Sequence, residues 1–299
     1  MNFDPQKYMI NENLCLREYQ LKSVEILKYF SEFCDKHNLT YYICGGTCLG
    51  ALRHQGFVPW DCDIDVFMHR SDYEKIEEIW NKNADTEHYA YDRTSEYYNM
   101  HAQTAAIKDN YTTYIRIHNQ DCDMNHGLAI DIVPLDALSD NFFIRQWQKI
   151  CGLAFCIFNA QRVPNQQNVF VKLMSKVILG LFPSSHIRYK IWKFAEGQIS
   201  KQDLNDCKFV GELTTGFNTI NMRFPKDWFG EGRKIKFEDL IVKAPSEAEK
   251  YTFARYGEYE GYPPVSEQVP KMRPAFVDMH TPYKQYKGIR YCFDKLNER

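Results

Sequence analysis

Between residues 17 and 37, Ile26, Leu27, Phe30 and Cys34 recur at spacings of three, four and seven, with Val24 and Phe33 at the edges of that face. Lys22, Glu25, Glu32 and Lys36 occupy the other side, so the pattern predicts an amphipathic helix packed behind a sheet. The run Tyr41-Tyr42-Ile43-Cys44 predicts a first strand, and 47–54, after the glycine pair, a short helix capped by Thr47. Acidic and apolar residues then alternate over 61–68, the signature of a second strand. Ser71, with Glu74 three positions on, predicts the cap of a helix reaching Trp80. Residues 84–110 are polar and aromatic without clean period and read as loop with short strands; 112–117 reads as a strand. Residues 127–136 are an apolar strand interrupted by Asp131, with Asp136 capping a turn after Pro134. The stretch 141–208 turns helical; 234–243 reads as a hairpin turning at Glu238-Asp239, and Ser246 as the cap of a helix that Gly257 ends. The sum is an α+β fold: a mixed sheet core with helices around it and a helical C-terminal half. It divides into a core over 1–140, a helical region over 141–208 and a C-terminal part over 209–299 that packs back on the core.

On a strand, Asp61, Asp63 and Asp65 share one face while Cys62, Ile64 and Val66 share the other. Carboxylates two residues apart repel, and burying one unpaired is costly, so such a row beside a core calls for a cation. Oxygen ligands suit a hard ion, Mg²⁺ or Mn²⁺. The plain alternative is a solvated acidic loop after Pro59; the apolar run Ile64, Val66, Phe67 and Met68, which needs a buried face, argues against it. Gly45 and Gly46 before a helix add a place where backbone N–H groups and the helix dipole face an anion such as a phosphate. Taken alone the glycine pair is as often a tight turn.

The run GGTCLGALRHQGFVPWDCDIDV, followed by Arg70-Ser71-Asp72-Tyr73-Glu74-Lys75, resembles the signature of the LicD family of bacterial phosphocholine transferases and fukutin-type sugar-phosphate transferases. The resemblance implies a nucleotidyltransferase-like core that moves a phosphoalkyl or phosphosugar group from a cytidine diphosphate donor, such as CDP-choline, to a glycan hydroxyl. Many members carry another Asp at Cys62. The family's third metal-site carboxylate lies in an IDI-x-PLD segment, matched here from Ile130 to Asp136, which puts Asp131 beside Asp63 and Asp65. A structural ion pair of Asp131 with Arg53 or Arg116 is the competing reading. Phe237-Glu238, Ala244-Pro245, Arg255-Tyr256-Gly257-Glu258-Tyr259 and Pro263-Pro264 match the C-terminal pattern more loosely.

The implied site is therefore Asp63, Asp65 and Asp131 as catalytic and metal-binding groups, with Asp61 a further metal candidate and either Asp61 or Asp131 the base. Gly45, Gly46, Thr47 and Arg53 would hold donor phosphate. His54 reads as a solvated helix residue, and Trp60 either stacks on ligand or packs under the loop.

Composition narrows the partners. A net charge of −2 without a basic tract excludes a nucleic-acid binder. Aromatics at 15% could serve a quaternary ammonium cage, although most belong in the core. Ten cysteines without a C-x-x-C pair read as reduced thiols, and the N-terminus shows no export signal, so a cytoplasmic enzyme, at most touching the inner membrane face, is expected. The helix over 169–182 is too short and too charged to span a bilayer and is expected to pack into the protein, with a membrane-surface position as the alternative. The acceptor would be a glycan or lipid-linked glycan, as in lipopolysaccharide or teichoic acid. Two other functions use the same features: a nucleotidyltransferase that modifies a small molecule or protein, and a non-catalytic glycan- or nucleotide-binding protein.

Overall fold

The computed structural model describes residues 3–162 and 169–293. A short ribbon, β1 (Met9–Asn11) with β2 (Leu14–Cys15), leads into α1 (Leu16–Lys36). The predicted face of α1 is the buried one: Ile26, Leu27, Phe30 and Cys34 are wholly covered. The chain continues through β3 (Tyr41–Ile43), α2 (Gly45–His54), β4 (Asp65–His69), α3 (Arg70–Asn83), β5 (Tyr89–Asp92), β6 (Ala105–Asp109) and β7 (Thr113–Arg116). Next come the long strand β8 (Leu128–Leu138) and three helices, α4 (Phe142–Ala160), α5 (Val169–Leu181) and α6 (Ser185–Ile199). Strands β9 (Phe209–Gly211), β10 (Phe224–Pro225), β11 (Arg233–Phe237) and β12 (Leu240–Ala244) follow, then α7 (Ala248–Tyr256) and β13 (Pro274–Asp278).

Seven strands make one mixed sheet, in the order β10-β9-β8-β4-β3, with β6 also paired to β8 and β5 to β6. The β4–β8 ladder is parallel and the other ladders of the sheet are antiparallel. Strand β8 is the spine, since it bonds β6, β4 and β9 along its length. Helices α1 and α3 pack on the sheet, and Trp80 sits between Phe30, Phe33 and Tyr29. A second core, built on Phe155, Trp192, Ile199 and Leu213, joins α4 and α6 to the segment after β9.

Several expectations are corrected. The second half is not helical throughout: α4, α5 and α6 lie between 142 and 199, but β9 and β10 return to the main sheet and β11–β12 form the expected hairpin. Strand β4 starts at Asp65, not at residue 61. The short strands expected within 84–110 are β5 and β6, and β6 is a core strand, every residue of which is buried. Lys108 and Asp109 hid its burial from the hydropathy pattern; inside, the Lys108 ammonium is 2.7 Å from both Asp92 Oδ2 and the Asn125 carbonyl. Ser71 lies within α3, whose cap position is His69, and Ser246 donates its hydroxyl to the Phe229 carbonyl rather than capping α7. Asp136 caps no turn. It is fully buried in β8 and accepts two bonds from Arg70, at 2.7 and 3.0 Å, a fork geometry that offsets the cost of burying both charges. The helix after residue 169 packs by one face only: Ser175 and Leu179 are buried, Leu179 in the second core, whereas Leu173, Met174, Val177 and Leu181 are exposed.

Candidate active site

The carboxylates converge because β4 and β8 run parallel in a register that sets Asp65 opposite Asp131. Paired positions on neighbouring strands project from the same face, so these two side chains share it. The ladder is anchored at this end by the Asp131 N–H on the Ile64 carbonyl, 2.9 Å, and the Cys44 N–H on the Asp65 carbonyl, 3.0 Å.

Helix α2 starts at Gly45, two residues before the expected cap. Thr47 therefore lies inside its first turn, where its Oγ1 accepts the Asp65 N–H at 3.0 Å and ties helix to strand. Both glycines are demanded by the carboxylates. Gly45 has φ +55°, and a Cβ there would lie 3.2 Å from Asp65 Oδ2; a Cβ on Gly46 would lie 2.3 Å from Asp61 Oδ2. The Gly45 N–H is taken by the Tyr251 hydroxyl at 3.0 Å, which leaves the N–H groups of Gly46 and Thr47 at the open end of the helix.

Residues 61–64 are irregular, so strict alternation does not reach them. Asp61, Cys62 and Asp63 each bring a ligand atom within 4.8 Å of the others, and Cys62 thus stands with the acids rather than on the opposite face. Asp61 is fixed by its backbone, whose carbonyl accepts Gln20 Nε2 at 2.8 Å, and its Oδ1 accepts the Cys62 N–H at 3.1 Å. Burial, and then the Asp63 charge, push the Asp61 carboxyl well above its usual range. Asp65 is raised likewise by burial and by Asp63, Asp131 and Asp61. Burial also raises Asp131, against the pull of the Arg116 guanidinium, with Asp63 adding to the rise. Asp63 lines one cavity with Asp61 and Asp65 and a second with Asp131, and a row of oxygen donors in which burial and acidic neighbours disfavour the charges of Asp61, Asp65 and Asp131 fits a hard divalent cation. The residues that could hold one are Asp61, Asp63, Asp65 and Asp131.

Two cavities meet at this cluster. One, about 600 Å³, has Gly46, Asp61, Asp63 and Asp65 on one side and Trp60, Tyr256, Tyr259 and Tyr262 among its other walls. The second, about 450 Å³, is basic, with Lys108, Arg116 and Arg273 beside Asp63 and Asp131. Asp63 and Lys271 line both. A larger hollow of about 940 Å³ between α1 and β13 contains none of these acids.

Arg53 faces the aromatic cavity, but its Nη1 is bonded to the carbonyls of Tyr259 and Gly261 at 2.8 and 2.9 Å, and its guanidinium lies over Tyr262. It organises the wall there, and Arg116 is the arginine that faces Asp131. His54 is not a solvated residue: it is half-buried, accepts from Arg53 Nε at 3.0 Å and meets Tyr262 edge-on. Trp60 packs near Phe3 and Tyr262 and also lines the cavity. Sequence reasoning missed Lys271, Lys108 and Thr104, whose hydroxyl reaches Asp131 at 3.4 Å. Lone polar residues outside any motif carried no signal; Tyr256 and Tyr259 belong to the stretch that resembles the family's C-terminal pattern, which by itself implies no role at the site.

Comparison with known proteins matches residues 38–164 to the LicD/FKTN/FKRP nucleotidyltransferase domain. The chain is 27% identical to the lipopolysaccharide cholinephosphotransferase LicD of Haemophilus influenzae over 87% of its own length and 96% of that protein. An uncharacterized protein of Rickettsia typhi is 41% identical over 22% of the chain and 20% of its own length. The human ribitol 5-phosphate transferase FKRP is 31% identical over 22% of the chain and 12% of its own length. The matched domain carries the glycine pair, Asp61, Asp63, Asp65 and Asp131, and the similarity to the bacterial enzyme runs far beyond it: the chain carries a LicD-type domain and is a LicD-like phosphotransferase.

Proposed function

We propose that the enzyme transfers a phosphocholine-type group, phosphoalkyl or phosphosugar, from a CDP-linked donor to a hydroxyl of a cell-surface glycan or its precursor. The reading rests on the LicD-type domain, on the lipopolysaccharide cholinephosphate and ribitol 5-phosphate transfer in the relatives' names, and above all on one observation: Asp63 lines both an aromatic cavity that holds Asp61 and Asp65 and a basic one that holds Asp131. A nucleotidyltransferase-like core, Mg²⁺ or Mn²⁺ dependence and work at the cytoplasmic face of the membrane belong to the same proposal.

Asp61, Asp63, Asp65 and Asp131 would hold the divalent ion, whose charge offsets the negative charge gathering on the departing CMP. The N–H groups of Gly46 and Thr47 hold a donor phosphate oxygen at the positive end of α2. Lys271, shared by both cavities, stands where it can neutralise a second oxygen and orient the phosphorus toward the acceptor. The acceptor hydroxyl attacks in line, its proton passes to a carboxylate oxygen of Asp61 or Asp131, and CMP departs with the electron pair of the broken P–O bond.

Mass spectrometry of the protein with Mg²⁺ and a panel of CDP- and UDP-linked donors, with and without extracted glycan, tests this against Asp63→Ala. CMP release that depends on metal and on Asp63 supports the proposal and names the donor. Pyrophosphate release from a nucleoside triphosphate, or ligand binding without turnover by wild type given extracted glycan, would replace it with nucleotidyl transfer or a binding role.

A further inference from the structure

We propose that α4, α5 and α6 form a docking surface for an anionic lipid bilayer. Residues 142–199 hold eight Lys and Arg against a single acid, Glu196, in a chain whose total is 37 basic and 39 acidic residues. That one acid is buried and paired with Arg70, Arg93 and Lys193, so it subtracts little from the outward field. The region is net positive because acids are almost absent from it, whereas the rest of the chain is net acidic.

The same region exposes apolar side chains in lines. On α5, Leu173, Val177 and Leu181 recur every four residues and are 50–71% exposed; on α4, Phe143, Trp147 and Ile150 repeat at four and three. Lys172 and Lys176 alternate with the α5 line. Apolar ridges edged by lysine are the pattern of helices that lie in a lipid interface, and no helix among the described residues is long and apolar enough to cross a membrane. Charge selects a bilayer over a second copy of the chain, because two such faces would repel each other.

The surface is also coupled to the site. At the C-terminal end of α4, the Asn159 and Ala160 carbonyls bond Asn99 and His101, and Asn159 Nδ2 donates to Ala102 at 3.0 Å. Met100 and Ala102 line the basic cavity, and Thr104 reaches Asp131. An enzyme resting on these helices holds the basic cavity close to the lipid, where a lipid-linked acceptor would approach; only that last consequence rests on the proposed function.

Cosedimentation of the full chain with phosphatidylcholine vesicles, with and without phosphatidylglycerol, is the test. Wild type is expected to bind the phosphatidylglycerol vesicles and to release in high salt. Lys172→Gln with Lys176→Gln should weaken binding roughly 30-fold. Leu173→Glu with Val177→Glu should abolish it without changing the thermal unfolding midpoint, since both positions are exposed. Failure of wild type to bind those vesicles overturns the proposal, as does a dimer in sedimentation velocity that the glutamate pair dissolves. Binding is read without turnover, so its failure leaves the phosphotransfer reading standing, and a vesicle-bound but inactive enzyme would count against that reading alone.

Discussion

Gly46→Ala separates the catalytic demand for glycine from the conformational one. Position 46 lies in the first turn of α2, where alanine is the better helix former by about 1 kcal/mol. The obstacle is Asp61: the added Cβ would meet its Oδ2 at 2.3 Å, about 1 Å short of ordinary contact distance. The backbone of Asp61 is held by Gln20, so the carboxylate must rotate, and its Oδ1 then loses the Cys62 N–H. That rotation costs about 1 kcal/mol, near the helix gain, and the variant should unfold within a few degrees of wild type. Activity should fall much further. Displacing a reacting group by about 1 Å costs on the order of 100-fold, so kcat/KM for CMP release is expected to drop by about that factor. Differential scanning calorimetry and the release assay, on one preparation, read the two effects. Full activity in a folded Gly46→Ala enzyme would show that the position of Asp61 does not matter to the chemistry, and the four-acid site would lose that member.

Other substitutions test the scaffold. Thr47→Val keeps the shape but leaves the Asp65 N–H without its acceptor, and urea unfolding should show a loss of about 1–3 kcal/mol that Thr47→Ser largely restores. Asp136→Ala strands Arg70 in the interior beside Glu196, and a loss of about 3–5 kcal/mol is expected in the same assay. Glu238 accepts two bonds from Arg17 and the Phe57 N–H; burial works against its charge, but those bonds and the Arg17 charge hold its carboxyl below the usual range. Its contribution is therefore complete above the ordinary glutamate pKa of about 4.3 and fades as pH falls through the lower folded value. Wild type should exceed Glu238→Gln in urea stability at neutral pH, and the gap should close in acid; a gap that widens on acidification would refute the assignment.

The parts of the fold that the sequence exposed are those written in local period. The buried face of α1, the apolar strand around Asp131 and the hairpin at Glu238-Asp239 each follow from neighbours within a few residues. The glycine pair and the acids after Pro59 were legible as a site, but the reason for the glycines was not. Their crowding by Asp61 and Asp65 is a contact between segments, and the pattern offered only a phosphate to explain it. The bounds of β6 and its place in the core were hidden because its Lys108 and Asp109 find partners on other elements, Asp92 and Lys22 among them. Asp136 misled for the same reason, since its partner Arg70 is 66 residues away. Lys271 sits in an irregular stretch, and only folding brings it to Asp63.

The segment 38–164 that matches the LicD-type domain is not a unit that can be lifted out. Its first strand is fastened from far along the chain: the Tyr41 hydroxyl accepts the Lys243 N–H, the Tyr42 hydroxyl donates to the Gly230 carbonyl, and Tyr251 holds Gly45. The tyrosine wall and Lys271 come from the last quarter of the sequence. Grafting or exchanging the shared domain between relatives would carry the acids across and leave behind the surface that holds them in place. Specificity in this enzyme is therefore better altered by substitutions along the 256–273 wall within an intact chain than by swapping the 38–164 segment.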